Sequence, residues 1–168
     1  MNSPAEHRAL VVGFGNAIRR DDGVGLYVVN AVRARVGLPQ LTADEDGLDD
    51  LGHPVDAVAL HQLLPELADT VADYSTVVFV DAHTGTVPED VRVVPVEEGY
   101  GFQAVTHHMS PGMLLSLARL ATGSSPAGHL VSVRGESFDL GTQLTDGCRR
   151  RADEAVAEVL RLIGLAAS

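Results

Sequence analysis

The residues with the greatest capacity for chemistry fall at three places: the pair Asp21-Asp22, the single Asp81, and the pair His107-His108. Two carboxylates and an imidazole suit a divalent first-row metal, nickel or zinc among them, with positions left open for water or substrate. Each residue taken singly has an ordinary explanation. An Asp at a strand end often caps the next helix, and a His in a loop is usually solvated. Their common address argues for more: the acidic pair follows the first apolar run, Asp81 closes another, and the histidines precede a helix start. In a parallel sheet flanked by helices these are positions on one rim, outside the carboxyl ends of the strands, where distant residues converge.

The elements that must carry them are legible as patterns. Ala9 to Val12 is a short strand, and it runs through a glycine turn into a helix with Val24, Val28 and Val32 on one face, Tyr27 and Ala31 beside them. Asp21 and Asp22 are expected to open that helix, where the positive end of its dipole favours anions. Val55 to Leu60 reads as a second strand, with Pro65 near the start of the next helix. Thr76 to Val80 is apolar without alternation, as in a strand covered on both faces, and should be central. Val91 to Val96 reads as an edge strand, and Leu130 to Val133 as the last. Ser110 and Pro111 cap and open a helix with Leu114, Leu117, Ala118 and Ala121 on its apolar face, ended by Gly123. Thr145 and Asp146 introduce a terminal helix with the stripe Ala152, Ala155, Val156, Val159, Leu160 and Ile163. Strands alternating with helices predict a three-layer α/β/α sandwich with a mostly parallel, five-stranded central sheet.

Nucleotide-binding signatures are missing. A dinucleotide fingerprint needs a third glycine where the chain has Ile18, and a P-loop needs Gly-Lys-Ser or Gly-Lys-Thr. The segment Gly13-Phe14-Gly15-Asn16-Ala17-Ile18-Arg19-Arg20-Asp21-Asp22-Gly23-Val24-Gly25 instead resembles the signature of the hydrogenase maturation proteases: Gly-x-Gly-Asn, a few residues, then Asp-Asp or Asp-Glu with Gly-x-Gly. These endopeptidases trim the C-terminal extension of a nickel-iron hydrogenase large subunit. The resemblance extends to the apolar run into Asp81-Ala82, the His-x-x-x-Pro approach to Pro111, and the Leu/Ala-rich helix ending in Thr122-Gly123.

That resemblance implies a peptidase in which Asp22, Asp81 and His108 contact the metal, with Asp22 and Asp81 also catalytic. It favours Asp22 over Asp21, which becomes a cap or a partner of the ligand, and His108 over His107, by its spacing to Thr122-Gly123. The nickel would belong to the substrate, the precursor of a [NiFe] hydrogenase large subunit. Many relatives carry an Asp-Gly-Gly turn after the second strand. Here the wording is His61-Gln62-Leu63-Leu64-Pro65-Glu66-Leu67, which looks like the branch serving soluble NAD-linked hydrogenases, with His61 as an extra metal contact or a substrate-recognition residue. The rival reading is a non-catalytic, metal-dependent binding module or chaperone for a metalloprotein precursor.

Composition narrows the rest. With 168 residues the chain reads as one domain, 1–168, long enough to bury a core without staples. Aromatic residues make up 4%, so the core must be built from Val, Leu and Ala. A net charge of -11 disfavours nucleic acid or anionic membrane as partner. Neither a signal peptide nor a membrane span is legible, and a cytoplasmic monomer is expected. The single cysteine, Cys148, excludes an internal disulfide. It begins the last helix beside arginines that could activate a thiol, yet it lies away from the histidines and reads as a partly buried structural thiol. The acidic stretch 41–53 reads as a solvated connector.

Overall fold

The apolar run starting at Thr76 forms β3 (Thr76–His83), flanked on one side by β1 (Ala9–Phe14) and β2 (Val55–Leu60), on the other by β5 (Ala127–Arg134) and β4 (Val91–Val96). In this computed structural model, which describes residues 7–99 and 109–165, the strand order is β2-β1-β3-β5-β4. All neighbours are parallel except β4, which runs antiparallel to β5 at the sheet edge. β3 is the middle strand, and Thr76 to Val80 are buried, which explains their unbroken hydrophobicity.

Helices α1 (Val24–Arg35) and α4 (Asp146–Leu162) cover one face, where Val28, Val32, Ala152 and Val159 pack on Val11, Val78, Val80 and Val131. Helices α2 (Leu67–Ala72) and α3 (Pro111–Thr122) cover the other, where Val71, Leu114 and Leu115 pack on Leu10, Val12, Val77 and Phe79. Alternate residues of β1 thus enter opposite layers, and the three-layer sandwich expected from the sequence is the observed fold. Among the described residues no helix is long and apolar enough to cross a membrane.

Local signals placed several boundaries well. Ser110 accepts a bond from the Met113 N–H, Pro111 opens α3, and Gly123 closes it at φ 80°. Thr145 caps α4 by accepting from the Cys148 N–H. Other details differ. α2 begins at Leu67, so Pro65 sits in the turn before it, where the Ala68 N–H donates to its carbonyl. On α3 the buried residues include Leu115, while Ala121 is exposed.

The stretch 41–53 is no free connector. Leu41 is buried, and Asn30 of α1 holds it from both sides, donating to its carbonyl at 2.8 Å and accepting its N–H at 2.7 Å. Arg33, only 2% exposed, donates to the carbonyls of Pro39 and Ala57. The Ala59 N–H of β2 donates to the Asp46 carbonyl, so this segment covers the outer edge of β2.

Candidate functional site

The glycine motif is explained by two close approaches. Gly13 on β1 lies against Gly25 on α1, where a Cβ on Gly25 would stand 2.7 Å from the Phe14 nitrogen. Only a pair without side chains lets strand and helix come so near. Gly15 has φ +140°, and a Cβ there would overlap the Asp22 carbonyl and crowd its carboxylate. The Asn16 N–H then donates to Asp22 Oδ2 at 2.7 Å, while its own side chain accepts from the Ile18 N–H at 3.2 Å. Asn16 thereby fixes the turn and orients the carboxylate.

Asp21 and Asp22 do not open α1 as expected. They sit in a separate 3-10 turn, Arg20–Gly23, ahead of the helix, and this tighter turn sends adjacent carboxylates in different directions. Asp21 is fully buried and accepts from the N–H groups of Glu136 at 2.7 Å, Ser137 at 3.0 Å and Thr145 at 2.8 Å, and from the Thr145 hydroxyl at 2.8 Å. Burial pushes its pKa up, but these four donors outweigh that and hold it below the ordinary value. Asp21 is therefore a clamp between the 3-10 turn and the β5–α4 connection, and its carboxylate has no capacity left for a ligand.

Asp81 lies on β3 one residue beyond Val80, which pairs with Gly13, so it stands level with the start of the glycine turn. The Ala82 N–H donates to it at 2.8 Å. Burial raises its pKa to about 7; the Ala82 bond opposes the rise and the neighbouring Asp22 charge adds to it. The structure therefore brings Asp22 and Asp81 to one rim, as parallel β1 and β3 require. A carboxyl poised near neutrality can hold or release a proton, and two opposed carboxylates offer a divalent cation what they deny each other.

His107 and His108 lie outside the described residues. Among the described residues no group of three or more His, Cys, Asp or Glu is placed to hold a metal ion. His61 is exposed and lines a groove of about 250 Å³ with Gly15, Asn16, Asp44 and Glu45, alongside the Asp22 turn. Cys148 is wholly rather than partly buried, and its thiol is pushed up to about 12, by burial first and then by Asp21. The arginines beside it in sequence do not activate it, and it is no nucleophile.

Fold and rim together define a class: a mostly parallel α/β sandwich whose first strand-to-helix turn presents one carboxylate to a second on the middle strand. The chain matches no protein-family model and, in sequence, no curated protein. Among solved structures it is similar to the hydrogenase maturating endopeptidase HybD from E. coli, with TM-score 0.67, 22% identity and 95% of each chain covered. It is also similar to the hydrogenase 2 maturation peptidase from a Thaumarchaeota archaeon, with TM-score 0.61 and 23% identity over 94% of this chain and 99% of that one. A third is the [NiFe] hydrogenase maturation protease HycI from Thermococcus kodakarensis, with TM-score 0.63 and 18% identity over 94% and 92%. At such identities the shared property is the fold, and this chain has it.

Proposed function

We propose that this chain is a hydrogenase maturation endopeptidase, which removes the C-terminal extension of a nickel-loaded [NiFe] hydrogenase large-subunit precursor. The observation that carries the reading is the approach of Asp22 to Asp81 on the rim, in a fold shared with proteins named for that activity.

The nickel is part of the substrate. Asp22 and Asp81, with His108 as the third ligand, take hold of it, and an ion gripped by enzyme and precursor together fixes the scissile bond nearby. Such an ion polarises a carbonyl or a water. The chain's own residues supply the rest: Asn16 keeps Asp22 aimed, and β3 keeps Asp81 beside it. The segment His61 to Leu67 favours a precursor from the soluble NAD-linked branch. A cytoplasmic monomer fits this work.

Incubation with nickel-loaded and nickel-free precursor, followed by intact-mass measurement, tests the reading. Loss of the tail mass from the loaded form alone is the expected result. A stable complex with no mass loss would make the protein a binder of metal-bearing precursors instead.

A further inference from the structure

Arg20 has no task in the peptidase reading, yet its position is closely specified. Its φ is +42°, the left-handed region that a side-chain-bearing residue rarely adopts. Its N–H donates to the Gly141 carbonyl at 2.9 Å, its Nε donates to the Gln143 carbonyl at 3.2 Å, and its stem lies across Gly141. Among the described residues no carboxylate lies within ion-pair distance of it, in a chain with 23 acidic and 12 basic residues. An arginine without an acidic partner in so acidic a protein faces something other than its own surface.

What it faces is a cavity of about 360 Å³, which it lines with Gly23, Tyr27, Thr142, Gln143 and Arg149. Arg149 reaches Asp146 at 2.9 Å on the exposed side, and the Tyr27 hydroxyl donates to Asp153 at 2.7 Å, so the charge left unmatched at the cavity is that of Arg20. Gly23 adjoins Asp22 in the chain. Ala17 and Leu26 line both this cavity and the groove holding Asp44, Glu45 and His61. The two cavities therefore share a wall beside the Asp22 turn, one with an acidic lining and the other with a basic one.

We propose that the Arg20 cavity is a subsite for a carboxylate of the substrate's C-terminal extension, with Arg149 as its second cation. This rests on the peptidase reading and names what that peptidase recognises beyond nickel. A guanidinium presents paired N–H donors that match a carboxylate, and with Nε committed to Gln143 the two terminal nitrogens of Arg20 remain for it. The exposed Arg149–Asp146 pair yields at little cost.

The test is steady-state cleavage of nickel-loaded precursor by the wild type, Arg20→Gln and Arg149→Gln. Its companion is fluorescence anisotropy with a synthetic peptide of the extension, as free acid, as C-terminal amide, and with its acidic side chains changed to amides. Arg20→Gln should raise KM about ten-fold with kcat within two-fold, the size of one lost charge-assisted contact. Peptide affinity should fall comparably, and one of the two amide forms should bind wild type and variant equally, telling a terminal from a side-chain carboxylate. Unchanged KM and affinity in Arg20→Gln would overturn the subsite. If the wild type cleaves nothing, the peptidase reading fails and anisotropy alone decides the subsite. If Arg20→Gln does not fold by circular dichroism, the same readouts on Arg149→Gln, altered at an exposed position, decide it.

Discussion

Asp21 and Asp81 are carboxylates brought to the same end of the sheet, and they are treated in opposite ways. Asp21 is wholly buried but receives four hydrogen bonds, and it stays ionised more readily than a free aspartate. Asp81 keeps some contact with solvent, has the Ala82 N–H as donor, and is pushed to about 7. Asp56, at the opposite end of the sheet, is bonded as fully as Asp21: nearly inaccessible, it accepts from the Tyr74 hydroxyl at 2.6 Å, Arg8 at 3.3 Å, and the Gly52 and His53 N–H groups at 3.0 and 3.3 Å. Burial therefore does not by itself separate a clamped carboxylate from one held near neutrality. The number of donors does, because an ionised carboxylate out of water is stable only when its lone pairs are filled.

Breaking the reactive side of this contrast should have the largest effect. Under the proposed function, Asp22→Asn or Asp81→Asn should slow precursor cleavage by about a thousand-fold or more, with the circular dichroism spectrum unchanged, since the group lost would be a ligand of the substrate's metal rather than a packing element. Normal cleavage by either variant would dissolve the site. Breaking the structural side should do the reverse. Asp21→Ala leaves three backbone N–H groups without an acceptor and should cost about 3 kcal/mol of stability in urea unfolding. A variant as stable as the wild type would show that the clamp is dispensable.

The contrast also has a pH signature. Folded Asp81 holds its proton up to about 7, against the ordinary 3.8, so the folded state binds that proton more tightly than the unfolded chain does. Its contribution to stability is present below pH about 4 and lost as pH rises toward 7. Asp81→Asn, neutral at every pH, should therefore be more stable than wild type at pH 8 by up to about 4 kcal/mol, with the gap closing below pH 4. A variant less stable at pH 8 would mean that Asp81 is structural after all. The smallest effect belongs to Cys148. Cys148→Ala should cost about 1 kcal/mol from a small cavity and leave cleavage intact, whereas lost cleavage would revive a thiol mechanism.

What the sequence disclosed depended on the range of each signal. The glycine turn, the apolar run into Asp81 and the caps at Ser110, Gly123 and Thr145 are local, because each is satisfied within a few residues of itself. The parallel order of β1 and β3 brings the end of β1 level with Asp81, and the glycine turn with the Asn16 N–H on its carboxylate returns Asp22 to the same rim. The split between Asp21 and Asp22 was not local: resemblance favoured Asp22, but the donors that occupy Asp21 come from the β5–α4 connection, far along the chain. The positive φ of Arg20 had no residue-type marker, since glycine or asparagine would ordinarily announce it. The packing of 41–53 was hidden for the same reason, its clamps Asn30 and Arg33 reading as the polar face of α1. His108 lies outside the described residues, and its part in the site rests on the resemblance.

The central claim is that Asp22 and Asp81 act as one unit on one substrate ion, and a double-mutant cycle on cleavage tests it most directly. Single-turnover rates would be measured by intact mass for the wild type, Asp22→Asn, Asp81→Asn and the double variant on nickel-loaded precursor. Groups that grip the same ion lose their joint effect when either is removed, so the double variant should be no more than a few-fold slower than the worse single one. Losses that multiply in the double variant would show the two carboxylates working independently, and would contradict the account.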